Sequence, residues 1–256
     1  MKTPQACYPP RMTTDPTSEA ERLTAACQEI FGDETTWITA DGYPNSLALC
    51  VIDSIFSTGS HYQSVINVVA EYCRYRKNKG GDPYMDSIKE LLATFAEAGG
   101  SLAWAKLVDN HKPAHTKPGA LLKAEVVLRA AKALESVDIR NVADLHKLHA
   151  EDERLAAVKD VWLKLPSQRS GVTYNYFLIL AGFQSVKPDR MVIRFVEEHL
   201  ALGGRRLTPT ETAELIKDVA KLYPTKPQRL DHVIWRYVSG RDVFREEDAL
   251  VTEPAK

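Results

Sequence analysis

The chain has 256 residues, 44% hydrophobic and 26% charged, the balance of a globular protein with one large domain or two small ones. With 33 Lys and Arg against 34 Asp and Glu, its formal net charge is −1, which excludes a uniformly basic nucleic-acid coat and a highly charged disordered chain. The longest apolar stretch, Leu47–Phe56, contains Asp53 and is about half the roughly 20 residues a membrane span needs, so no membrane partner is expected.

Residues 1–17 hold four prolines and no apolar periodicity, and read as a flexible lead-in. They also lack the apolar run of a signal peptide, so the expected address is cytoplasmic. From Thr17 onward the pattern is helical. Ser46–Tyr72 is too apolar for a surface element and belongs at the centre of the fold. Met85, Ile88, Leu91, Leu92 and Phe95 step by three and four, as one face of a helix does. Lys112–Gly119 reads as a hinge, dividing lobes of about 18–112 and 119–245 and leaving open whether the two interleave. Leu121–Leu134 and Leu155–Trp162 repeat the helical spacing. Thr208-Pro209-Thr210-Glu211 has the cap, first-turn proline and third-position glutamate of a helix start. Residues 246–256 read as a flexible tail. No period-two alternation is sustained, so the fold class is all-α, with about ten helices.

Cys7, Cys27, Cys50 and Cys73 lie 20, 23 and 23 residues apart, without zinc spacing, and read as free thiols. Trp37, Trp104, Trp162 and Trp235 read as core anchors, with Trp162 placed to border a groove. No metal or cofactor is expected.

The near-zero charge is unevenly distributed. Leu155–Arg245 holds 15 Lys and Arg against 9 Asp and Glu, a net of +6, so the remainder is −7. This is either ordinary fluctuation or a polyanion-binding face. Within the basic segment, a helix ends near Leu165 and a polar turn, Pro166–Gly171, precedes an apolar helix from Val172. Free N–H groups at that helix start, flanked by Gln168, Arg169, Ser170 and Thr173, suit a phosphate, and Gly171 permits close approach.

Leu165-Pro166, the glycine-containing turn and Thr173-Tyr-Asn-Tyr-Phe177 resemble the hairpin of the helix-hairpin-helix DNA glycosylase superfamily. The turn is one residue longer than the usual L-P-G-x-G-x-x-T-A-x-x, and Ser167 and Arg169 replace its first two glycines. Val186–Val196 resembles the following segment, with Asp189 at the family's catalytic aspartate and Arg194 five residues on. Leu121-Leu-Lys123-Ala124 resembles the family's K-A-x-x-I/L helix, and Leu49–Ser57 with Ser64-Val65 its first core helix. Leu230–Tyr237 resembles its closing helix, and Asp231 and His232 there read as core or surface residues more readily than as site residues. The similarity spans roughly residues 44–240.

The resemblance implies two helical lobes flanking a DNA-binding cleft, and a monofunctional glycosylase acting as a monomer on double-stranded DNA with a damaged or modified base. Asp189 would stabilise the oxocarbenium-like sugar and orient water, although at a helix start it is equally a cap. Lys187 and Arg190 would contact DNA alongside the hairpin. No hairpin lysine is present for imine chemistry, so strand cleavage is not expected, and Cys73 is the last cysteine, which excludes a C-terminal iron–sulfur loop. Asp53, Ser57, His61 and Tyr62 are candidates for the base pocket. Asp53 either pairs with a core arginine or reads an amino-bearing base edge; His61 and Tyr62 are otherwise a cap and a packed aromatic. The alternatives are a catalytically inactive DNA-binding relative and a helical protein-interaction module.

Overall fold

The computed structural model describes residues 18–39, 42–200 and 202–245, so the expectations for residues 1–17 (including Cys7) and 246–256 lie outside the described residues. Twelve α-helices and two 3-10 turns account for the described architecture, and no strand forms among the described residues. No helix among them is long and apolar enough to cross a membrane.

The helices divide into two apolar clusters, and the boundary is not at Lys112–Gly119. One cluster is built from α2 (Leu47–Phe56) through α9 (Val172–Leu180) and ends at Phe183. The other combines α1 (Glu19–Phe31) and Trp37 with α10 (Arg190–Leu200), α11 (Pro209–Leu222) and α12 (Pro227–Val238). The chain therefore starts in the second lobe, builds the whole of the first, and returns after Phe183. The expected hinge is an ordered turn inside the first lobe, where Lys123 N–H donates to Lys112 O and Ala114 N–H to Leu121 O. Closing the second lobe needs the two chain ends side by side. Ile38 N–H donates to Val243 O at 2.8 Å and Arg245 N–H to Thr36 O at 3.0 Å.

Every residue of α2 is buried, which makes it the axis of the first lobe. Both of its ends are tied to other elements of the lobe. At the N-terminus Ser46 caps Leu49 N–H and donates to Pro83 O, while Ala48 N–H donates to Asp86 O. Asp86 in turn holds Arg76 through two bonds of 2.6 and 2.9 Å and accepts from Tyr72 OH at 2.8 Å, which makes it a buried, fully engaged carboxylate. At the C-terminus the buried Lys123 Nζ donates to Phe56 O at 2.8 Å, to Ser60 Oγ at 3.0 Å and to Thr58 O. A cation at the negative end of a helix satisfies carbonyls that would otherwise be orphaned. Lys123 of the K-A-x-x stretch is thus a cap for α2.

Cys27, Cys50 and Cys73 are buried free thiols. Trp37, Trp104 and Trp162 are fully buried, whereas Trp235 lies between the lobes, its ring 5.4 Å from that of Tyr62. The capping box at Thr208 and Glu211 forms as expected.

Removing one member of a buried ion pair strands the other. Asp86→Ala should therefore lower stability by about 3–5 kcal/mol, whereas Arg74→Ala, which breaks an exposed pair with Glu71, should change it by less than about 1 kcal/mol. Urea unfolding of both variants measures the contrast, and similar losses would contradict this account of the Asp86 cluster.

Candidate active site at the joint of the two lobes

The hairpin is α8 (Ala156–Leu163), a turn over residues 164–171, and α9. Its geometry is set from inside. Trp162 Nε1 donates to Thr173 Oγ1 at 3.1 Å, Thr173 Oγ1 to Gln168 Oε1 at 2.5 Å, and Gln168 Nε2 to Pro166 O at 3.0 Å. Gln168 and Thr173, expected to face DNA, are each 2% exposed and are spent on holding the turn. Arg169 and Ser170 are exposed. Gly171 adopts φ +77° as the N-cap of α9 and supplies no side-chain cap, so no side chain competes for the first-turn N–H groups. Ser167, at the place of a family glycine, also has a positive φ of +65°, a conformation that a side chain strains.

Asp189 caps α10. Its Oδ1 accepts from Met191 N–H at 2.8 Å and Val192 N–H at 3.2 Å. The cap thus occupies one carboxylate oxygen and leaves the other outside it. Lys187, two residues earlier, does not extend to the surface as a DNA contact would. It is half-buried, with its Nζ 3.6 Å from the centroid of the Tyr176 ring on α9. Burial pulls this amine down from the usual lysine range, while Asp189, Asp53 and Asp231 pull it back up. The carboxylates that act on it come from both lobes, Asp53 from the first and Asp189 and Asp231 from the second.

Asp53 forms the first-lobe half of this cluster. Burial raises its pKa, opposed by Lys187 and by hydrogen bonds from Tyr43 and Tyr176. The Tyr43 OH lies 2.9 Å from Oδ2. The partners Asp53 shows are two phenols and the charge of Lys187 rather than the expected core arginine. Tyr43 is positioned by Gly42, whose φ is +62° and whose place a Cβ could not share, since it would lie 2.5 Å from Leu180 O. Tyr43 N–H donates to that same oxygen at 2.7 Å.

In the second lobe, Asp231 on α12 is 6% exposed and its Oδ1 has no hydrogen-bond partner. Burial, reinforced by Asp189, holds its pKa well above the usual carboxylate range; Lys187, through both its charge and its N–H, works in the opposite direction. His232 is driven down to about 4 by burial, with Arg236 and Lys187 adding. Burial thus pushes both Asp231 and Asp53 toward the protonated form, with Lys187 opposing it in each case.

Asp53, Tyr43, Tyr176 and Tyr62 open into a cavity of about 630 Å³ that runs along α3 (Tyr62–Asn78). Of the four expected pocket residues, Asp53 and Tyr62 line it. Ser57 and His61 do not: Ser57 Oγ bonds back to Ser54 O, and His61 is an exposed helix cap. Tyr43, Tyr176 and Asp231 had no role in the expected site, although the T-Y-N-Y run contained Tyr176. Arg190 is exposed at the start of α10, and Arg194 pairs with Glu198 at 3.7 Å.

Fold and site together define an all-helical protein of two lobes whose joint carries an acid–base cluster beside an aromatic pocket. A family model described as "Domain of unknown function (DUF8548)" matches residues 21–239, and the chain belongs to that family. No curated protein and no solved structure matches it.

A carboxyl that stays protonated when folded binds its proton more tightly than the unfolded chain does. Its stabilisation is complete below the unfolded value of about 3.9 and is lost as pH rises through the folded pKa. Asp231→Asn cannot ionise, so its stability relative to the wild type should increase as pH is raised from 5 to 8. Denaturant titrations at the two pH values test this, and a pH-independent difference would contradict a protonated Asp231.

Proposed function

We propose that the protein is a monofunctional DNA glycosylase, which flips a damaged or modified base from the duplex and hydrolyses its N-glycosidic bond. The observation that carries this reading is the placement of Lys187, two residues before Asp189, with its Nζ 3.6 Å from the ring centroid of Tyr176, which lines the pocket together with Asp53. In this reading the base stacks among the tyrosines with its donor edge on Asp53, and the sugar lies at Asp189. The C1′–N bond breaks with its electron pair leaving on the base. The Asp189 carboxylate stabilises the positive charge at C1′ and orients the water whose oxygen bonds there; one water proton ends on the base. Arg169, Ser170 and the first-turn N–H groups of α9 hold a backbone phosphate.

A second reading, a catalytically silent DNA-binding protein, is favoured by one feature: Ser167 takes a positive φ where the family has glycine. The two readings part on chemistry. Incubation with duplexes carrying diverse modified bases, followed by a screen for abasic sites, should show release of at least one base. Asp189→Asn should reduce that release by about 10²–10⁴-fold while duplex binding persists. Arg169→Ala should weaken binding and reduce its salt slope by about one. Binding without any release favours the silent reading, and no salt-dependent binding at all rejects both.

A further inference from the structure

The cavity is longer than a single base requires. At about 630 Å³ it falls in the range of pockets that bury drug-sized ligands, roughly 300–1,000 Å³. Its polar floor occupies one end. From there the lining continues along one face of α3 through Val65, Val69, Ala70 and Cys73, at helical spacing, and ends at Lys77 and Tyr84, where the ammonium lies 5.8 Å from the ring centroid. Of the large apolar side chains exposed among the described residues, Tyr62, Ile66 and Tyr84 all line this cavity. Exposed apolar surface gathered around a concavity marks a place where a ligand is buried. A bare ring on Asp53 would leave the α3 stretch to water.

We infer that the cavity takes bases enlarged at their donor edge: a flat heteroaromatic ring with an N–H on Asp53, carrying an apolar or aromatic substituent that lies along α3 toward Tyr84. The carboxylate floor selects a donor-bearing edge, because an acceptor edge would face a buried carboxylate oxygen unpaired. The residues at Val69, Ala70 and Cys73 offer no hydrogen-bonding side chain of note, so what lies against them is selected for apolar surface. Tyr62 and Tyr84 supply rings at either end. This inference rests on the reading that the Asp53 end holds the base.

Calorimetric titration of the full chain with adenine and with N6-benzyladenine tests it, since the second ligand keeps the N–H donor and adds an aromatic group. N6-benzyladenine should bind about tenfold tighter or more. Ala70→Trp, which fills the α3 stretch at an exposed position, should bring its affinity down to that of adenine and leave adenine unchanged. Equal affinities, absence of binding by both, or a benzyl preference that survives Ala70→Trp would overturn the inference. Free bases contain no glycosidic bond, so the outcome is independent of catalysis. A benzyl preference without base release from DNA would overturn only the glycosylase reading, and release of small lesions without the preference would overturn only this one.

Discussion

Lys187 is half-buried at the joint of the lobes with its Nζ 3.6 Å from the Tyr176 ring centroid, and Asp189, Asp53 and Asp231 all raise its pKa against the lowering effect of burial. Buried carboxylates at close quarters cannot all ionise without a cation among them. Asp53 brings one from the first lobe, while Asp189 and Asp231 bring two from the second. The lysine cannot serve all three equally. Asp231, the most deeply enclosed and with one oxygen unpartnered, is pushed by burial toward its protonated form, whereas Asp189, at the start of α10, accepts from two backbone N–H groups.

Such a cluster needs a rigid first-lobe partner, and α2 provides it. Asp53 sits three-quarters of the way along a helix buried on all sides, and so cannot follow a ligand. The cap from Ser46 and the Asp86–Arg76–Tyr72 cluster fix one end, and Lys123 fixes the other. The price is an amine taken out of water: burial, with Lys112 and Lys187 nearby, pulls Lys123 down to about 7. Three carbonyl or hydroxyl acceptors offset part of that cost. Lys123 and Asp53 are therefore two halves of one requirement, an immobile carboxylate at the floor of an aromatic pocket.

What could be read in the sequence follows the range of the forces involved. The apolar run of α2, the Thr208 capping box and the Asp189 cap are set by residues within a few positions of one another, and each forms as expected. The division into lobes is set by which distant faces pair, and the Lys112–Gly119 turn, although rich in breakers, is tied down by Lys112 O and Leu121 O. Gln168 and Thr173 have the chemistry of phosphate ligands, but Trp162 Nε1 was buried behind them and needed an acceptor. Tyr43 could not have been assigned to Asp53 by spacing, since they lie ten positions apart and Tyr43 is set in place by the left-handed Gly42 before it. Asp231 was visible only as one acid in a closing helix; its significance comes from α10 packing on α12.

The charge split acquires a physical meaning once pairing is known. Two of the six excess positive charges between Leu155 and Arg245 are met by acids outside that segment, and other cations there pair with acids of the segment itself. Lys164, Lys217 and Lys221 pair along their own helices, Arg206 pairs with Glu197, and Arg205 and Arg229 reach back to Glu19 and Glu34 from the acidic part of the chain. These pairs neutralise outer faces of the second lobe and, at Lys164, of the first. Arg169 at the hairpin turn and Arg190 immediately after Asp189 are exposed and make no ion pair with another described residue. Arg241 is spent instead on the rings of Tyr62 and Trp235, 4.3 and 5.3 Å from their centroids, across the joint. A net charge near zero is therefore compatible with a local positive field. In the proposed reading Arg169 and Arg190 supply that field, and Arg190 immediately follows Asp189, whose second oxygen lies outside its helix cap.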